Sequence, residues 1–261
     1  MRATLMNKFL IIFLLLCSPA WGGVEFDNTD DGLCLEDPVG FPNITHTAIA
    51  IMKPVGSDLD YFLHHVERNG ANSGYSYAVE EDGDIFHIGW GVGTATCETI
   101  NVPDNEWSCV GVARDKTANT LDCHVLVYST GVFSSEQETS VSDFVSLSSD
   151  ADFSIGFSNP GATNTCSAQE SIGGVNFFNG DISEVAFFSD VKTAAEVEAY
   201  CRSQSKRIGL QYSNLLGLWP MDGIPEGESG DGQLFRDISG NGYHLTGYGG
   251  AGVAEQVLSY P

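Results

Sequence analysis

The densest run of carboxylates in this chain is Glu80-Glu81-Asp82-Gly83-Asp84. Retaining glycoside hydrolysis needs two carboxyls held about 5 Å apart on rigid backbone. The Asp82-Gly83 step instead marks a solvated hairpin turn, with Gly83 free to take positive φ. The chain has no G-x-S-x-G elbow, no H-E-x-x-H and no P-loop. His64-His65 is an adjacent pair on an expected strand, so the two rings point to opposite faces and do not share a metal. His87 has no acid or nucleophile beside it in register. These absences exclude the common hydrolase layouts, and the chain reads as a non-enzyme. Hard cations are a different matter, because calcium collects several oxygens and mixes carboxylates with backbone carbonyls. Asp27, Asp30 and Asp31 crowd one turn, Asp181 and Glu184 border a glycine turn, and Asp222 and Asp237 sit in the tail. The other reading makes the first a polar turn and Asp237 a hydrogen-bond anchor for Ser239-Gly240-Asn241-Gly242. Trp90, between Gly89 and Gly91, is the aromatic that core packing explains least. With Tyr75, Tyr77 and His87 on neighbouring expected strands, it completes the candidate ligand-binding set.

The start of the chain sets the compartment. Arg2 and Lys8 precede an apolar run from Phe9 to Cys17, and small residues follow at Ala20 and Gly22. That order is a secretory signal peptide over residues 1–22, too short in its apolar part to span a bilayer. The expected product is secreted or extracytoplasmic, without membrane insertion. The net charge of −24 becomes more negative by two once Arg2 and Lys8 leave. Such a balance excludes nucleic acid as a partner, since phosphate neutralisation needs clustered Lys and Arg. Cys34, Cys97, Cys109, Cys123, Cys166 and Cys201 remain. An even number in an exported chain points to disulfides, and the sequence does not choose among the pairings. No C-x-x-C pair occurs, which argues against zinc. Asn43-Ile44-Thr45 is a glycosylation sequon.

The elements that must hold these groups are short strands punctuated by turns. Thr47–Lys53 ends at Pro54; Tyr75–Val79 and Asp84–Ile88 flank the Glu80–Gly83 turn; Trp107–Arg114 and Leu121–Tyr128 flank another hairpin. Ser158–Gly174 reads as a long surface loop. Around Asn179–Tyr200, Ile182, Val185 and Phe187 mark a strand, and a helix opens on the capping box Thr193-Ala194-Ala195-Glu196. Thr193–Arg202 is the one convincing helix. The pattern predicts an all-β protein: a two-sheet antiparallel β-sandwich with one short helix, folded as a single domain over residues 23–261.

Several motifs, in order, resemble the laminin-G-like domains of the concanavalin A-like jelly-roll superfamily. Val24-Glu25-Phe26-Asp27-Asn28-Thr29-Asp30-Asp31 is similar to an early F-D-G-x-D-D strand and turn. Trp107 followed by Val110–Asp115, Leu126–Gly131, and Phe178-Asn179-Gly180-Asp181-Ile182-Ser183-Glu184-Val185 match later ones. Leu218-Trp219-Pro220-Met221-Asp222 and Asp237-Ile238-Ser239-Gly240-Asn241-Gly242 resemble a signature that usually comes first in the family, yet here comes last. The resemblance therefore implies a circular permutation, with residues 214–261 supplying the opening strand. It further implies a non-catalytic module that binds carbohydrate or an extracellular protein, with Trp107 and Trp219 in the core. Calcium is the implied cofactor, held among Asp27, Asp30, Asp181, Glu184, Asp222 and Asp237, although Ser183 stands where the family often has Asp. A terminal strand that completes a sheet also allows homo-oligomers by strand exchange, and a self-associating structural subunit is the alternative reading. A polysaccharide-active enzyme ranks third.

Overall fold

The computed structural model describes residues 23–27, 31–36, 41, 45–56, 59–67, 74–90, 93–139, 141, 151–158, 176–203, 212–221, 231–248 and 252–253. The expected signal peptide, Asp30, Asn43, Cys166, Asp222 and residues 159–174 of the expected loop lie outside them. In chain order the strands are β1 (Val24–Asp27), β2 (Gly32–Leu35), β3 (His46–Pro54), β4 (Asp60–Glu67), β5 (Gly74–Val79) and β6 (Ile85–Trp90). Next come β7 (Gly93–Cys97), β8 (Ser108–Asp115), β9 (Thr120–Val127), β10 (Val132–Thr139), β11 (Ala151–Ile155) and β12 (Phe157–Ser158). The chain continues with β13 (Asn176–Phe177), β14 (Asn179–Phe188), helix α1 (Ala194–Arg202), β15 (Leu215–Pro220), β16 (Leu234–Phe235), β17 (Leu245–Tyr248) and β18 (Gly252–Val253).

Two eight-stranded antiparallel sheets face each other as a jelly-roll sandwich. One has the order β10-β9-β8-β3-β14-β1-β18, with β15 also paired to β14; the other runs β16-β17-β2-β11-β4-β5-β6-β7. Alternation along the strands points Val110, Val112, Met52, Ile182, Val185, Phe187 and Trp219 inward from the first sheet. They meet Phe62, Leu63, Ile85, Phe153 and Ile155 from the second. The Cys97–Cys123 disulfide crosses this core and joins β7 of one sheet to β9 of the other.

The outer face of the first sheet is apolar. Ile49, Ile51, Leu126, Ala186, Phe188 and Leu218 are covered by Val197, Tyr200 and Cys201 of α1. The helix starts as its sequence dictates: the Thr193 N–H donates to Glu196 Oε2 at 2.8 Å, and the Glu196 N–H donates to Thr193 Oγ1 at 3.4 Å. The Thr193 N–H, and then the Thr193 hydroxyl at 2.7 Å, donate to Glu196 Oε2 and hold that carboxyl below its ordinary pKa. The Cys109–Cys201 disulfide fixes the other end of the helix to β8. Closing loops of 26 and 92 residues, the two disulfides remove unfolded-chain entropy worth roughly 3.5 and 4.6 kcal/mol. Cys34 is disulfide-bonded as well, to a partner outside the described residues. Trp107 differs from its expected core position: it is half-buried and packs against this helix-side cluster.

The tail completes both sheets of its own chain. Along β14, Asp27 to Val24 of β1 pair with Asn179 to Ile182, and Pro220 back to Leu215 of β15 pair with Glu184 to Phe188. The two strands thus lie end to end on one side of β14. The break between them falls at Ser183, where the register of β14 on β3 shifts, and the Met221 N–H donates to the Ser183 carbonyl there at 3.0 Å. Farther on, β17 pairs with β2 and β18 with β1. Gly180 is required at its position, with φ +128 and a β-carbon that would sit 2.2 Å from the Lys53 carbonyl. Trp219 is fully buried, its indole N–H donates to the Tyr243 carbonyl at 2.6 Å, and its ring lies 5.3 Å from Phe153.

If the tail is part of the core, Trp219→Ala should cost about 3–5 kcal/mol. Urea unfolding followed by near-UV circular dichroism measures this; a loss under about 1 kcal/mol would place Trp219 outside the cooperative unit.

Candidate functional site

Tyr75, Tyr77 and His87 come together, but not in a groove. Ile85, His87 and Gly89 alternate toward the core, and all three named side chains are buried between the sheets. Trp90 ends β6, where it pairs with Gly74. His64 and His65 do point to opposite faces: His64 Nδ1 lies 2.5 Å from Ser76 Oγ on the outside, and His65 Nδ1 lies 3.1 Å from the Tyr75 hydroxyl inside.

The carboxylates expected to hold calcium also go separate ways. Asp27 ends β1, and its N–H donates to Asp31 Oδ2 at 2.9 Å, closing the turn on itself. Asp181 pairs with Lys53 Nζ at 3.7 Å; burial raises its pKa against the opposing pull of that lysine. Glu184 is buried beneath the helix, where the Tyr200 hydroxyl donates to its Oε1 at 2.7 Å. Asp237 is the hydrogen-bond anchor. Its Oδ1 accepts from the Leu218 and Ser239 N–H groups at 3.0 and 2.8 Å, and its Oδ2 accepts from Ser239 Oγ and the Tyr243 N–H at 2.9 and 3.0 Å. Four donors satisfy that carboxylate without a metal.

Three carboxylates do converge elsewhere. Ligand atoms of Glu80, Asp82 and Asp84 all lie within 4.8 Å of one another, the one such group among the described residues. The turn that gathers them is tightly built. The Glu80 N–H donates to the Asp84 carbonyl at 2.9 Å, the Gly83 N–H to the Glu80 carbonyl at 2.8 Å, and Gly83 sits at φ +89. The Asn101 side-chain amide donates to the Asp82 carbonyl, and the Val102 N–H donates to the Gly83 carbonyl at 2.9 Å. Glu80, Asp82, Gly83, Asn101 and Val102 line a cleft of about 300 Å³ with Pro54, Gly56, Asp60, Pro103 and Asp104. Partial burial, then Asp82 and neighbouring acids, raise the Glu80 and Asp84 carboxyls; Glu98 acts on both and Glu136 on Asp84. Oxygen donors under mutual repulsion suit a hard divalent cation.

From this turn a strip of side chains runs along the outer face of β6 and β7. Phe86 pairs with Thr96 and Ile88 with Thr94. Since Ile85, His87 and Cys97 point inward, Phe86, Thr94, Thr96 and Glu98 face outward. Phe86 and Thr96 are half-buried, while Thr94 and Glu98 are exposed. An aromatic face bordered by hydroxyls and carboxylates can stack on a sugar ring and bond its hydroxyls. Sequence reasoning missed Phe86; the signal was its place between two inward residues of a hairpin strand.

No family model and no curated protein sequence matches this chain, so its likenesses are to solved structures and concern the fold. A Bacteroides ovatus protein proposed to bind carbohydrate superposes with a TM-score of 0.56 at 15% identity, covering 92% of this chain and 61% of that one. This chain thus spans about three fifths of that protein's length. A heptameric SAP-like pentraxin of Limulus polyphemus gives 0.51 at 14% identity, over 70% of this chain and 82% of its own. The CBM40 module of the Ruminococcus gnavus IT-sialidase, in a structure bound to α2,3-sialyllactose, gives 0.50 at 12% identity, over 68% and 96%. The fold shared with these structures is the antiparallel jelly-roll sandwich.

Because the acids of the Glu80 turn repel one another, Asp82→Asn should raise Tm by about 1–2 °C in EDTA. Differential scanning fluorimetry reads the shift; a drop in Tm would mean that the Asp82 carboxylate is holding the turn rather than loading it.

Proposed function

We propose that the protein is an extracytoplasmic, non-catalytic carbohydrate-recognition module that binds neutral glycans along the outer face of β6 and β7. The contrast between the two outer faces carries this reading. The first sheet's is apolar and sealed by α1. The second sheet's presents exposed Thr94 with half-buried Phe86 and Thr96 along β6 and β7. Phe86 would supply the stacking surface, Thr94 and Thr96 hydroxyl partners, and Asp84 and Glu98 acceptors. The carbohydrate-related neighbours in the same fold support the class of ligand. The acids at the Glu80 end disfavour a sugar carboxylate, so sialylated or uronic glycans should bind worst. The disulfides favour an oxidising compartment. The end-to-end placement of β15 and β1 supports reading residues 23–261 as one circularly permuted domain.

Phe86→Ala should weaken binding to a neutral polysaccharide at least about tenfold, while Tm changes little. Affinity electrophoresis against neutral polysaccharides and against sialyllactose-bearing polymer, with Trp90→Ala alongside, measures both affinity and preference. Unchanged retention of Phe86→Ala would sink the reading.

Calcium belongs to the same proposal, with Glu80, Asp82 and Asp84 as its holders and turn rigidity as what it supplies. Millimolar CaCl2 should raise Tm of the wild type but not of Asp82→Asn or Asp84→Asn. An equal rise in all three would place the ion elsewhere.

A further inference from the structure

We propose that a layer of histidines between the two sheets is an acid-operated lock: protonating it adds positive charge beside the buried Arg114 and loosens the sandwich. The layer consists of His46 on β3, His65 on β4, Tyr75 and Tyr77 on β5, His87 on β6 and Arg114 on β8, all buried. The His46 ring lies between those of Tyr75 and Phe187, at 4.3 and 4.9 Å, and its Nε2 is 2.7 Å from the Tyr77 hydroxyl. His65 Nδ1 is 3.1 Å from the Tyr75 hydroxyl, and the Arg114 guanidinium lies over the Tyr75 ring at 5.3 Å. The His87 ring is 5.4 Å from that of Tyr77, and neither of its nitrogens has a hydrogen-bond partner among the described residues.

Among the described residues, the charged groups that act on the layer's imidazoles are cationic. His46 feels Arg114, His65 and His87; His87 feels Arg114; His65 feels His64, on the other face of its strand. Burial lowers the Arg114 pKa against the opposing pull of Tyr77 and Tyr75. A second cation in such an interior is repelled far more strongly than in water, whereas an imidazolium on the unfolded chain is freely hydrated. Burial first, then Arg114, hold His46 and His87 well below their ordinary pKa, and burial brings His65 to about 3.

Depressed native pKa values mean that, below the unfolded value of about 6.5, the unfolded chain binds more protons, so stability falls as pH falls. The carboxyls of Glu80, Asp84, Asp122, Glu138 and Asp181 are raised and act in the opposite sense. They act from their ordinary range near pH 4 upward toward their raised native values, so they subtract from the histidine slope below pH 6.5 and do not create it. His124, buried on the helix-side sheet and lowered to about 4, adds to the same slope. Since β6 presents His87 inward and Phe86 outward, acid would also dismantle the glycan patch. That consequence rests on the functional reading above; the lock does not.

The test is the urea-unfolding constant of the full chain, disulfides intact, from pH 7 to pH 5. Each proton taken up raises that constant tenfold per pH unit, so near pH 5.5 the wild type should gain about a hundredfold or more per unit. His87→Phe should lower the slope by about one proton. Imidazole Cε1–H signals of the native layer should not titrate above pH 5, a readout that needs no variant. A wild-type slope of less than about one proton, an unchanged slope in a folded His87→Phe, or a layer signal titrating near pH 6.5 in the native state would each overturn the lock.

Discussion

Strand β14 is the constraint on which the rest of the structure depends. One flank pairs with β3 along nearly its whole length, and the other is shared by β1 and β15, drawn from opposite ends of the sequence. Neither short strand would persist alone, because two-stranded pairings are marginal in water. Each is held by side chains that reach the common core: Val24 and Phe26 from one, Trp219 from the other. The alternation of β14 then sorts its residues. Ile182, Val185 and Phe187 build the sandwich, while Glu184, Ala186 and Phe188 build the seat of the helix. One strand thereby fixes the core, the helix and the junction of the chain's two ends.

The two outer faces follow from that sorting. Covering the apolar face with α1 commits one side of the molecule to stability, and two covalent and polar ties, Cys109–Cys201 and Tyr200–Glu184, keep the cover in place. Among the described residues, no helix covers the β6–β7 margin of the opposite sheet, and Thr94 and Glu98 are exposed there. Partial burial, then neighbouring acids, keep the Glu80 and Asp84 carboxyls above their ordinary pKa.

Much of this was legible in the sequence wherever a few neighbouring residues decide the outcome. The capping box at Thr193 and Glu196, the turn at Gly83 and the alternation through Ile182, Val185 and Phe187 are local, and they form as expected. What sequence could not supply was which face of a strand looks inward when both faces carry polar and apolar groups. β5 is buried at every position, so Tyr75 and Tyr77 read equally well as groove or core. A register shift between Tyr61 and Leu63 further resets the phase of β4 against β5. The fate of each carboxylate was equally non-local. Glu184 is claimed by a tyrosine one helix away, and Asp237 by backbone N–H groups of Leu218 and Tyr243. The Glu80 turn is solvated as its Asp-Gly step implies, with Glu81 and Asp82 exposed, but Asn101 and Val102, which brace it, come from a loop beyond the next hairpin.

The covalent tie between Cys97 and Cys123 has a mechanical meaning. β7 is the last strand of its sheet, and marginal strands peel one hydrogen bond at a time when dragged sideways. Here the end of that strand is bolted to β9 in the facing layer. Tension arriving through anything attached near Phe86 or Thr96 would be passed to the opposite sheet and borne there as shear across many bonds at once. The molecule is built to be tugged from its thinnest margin without unravelling.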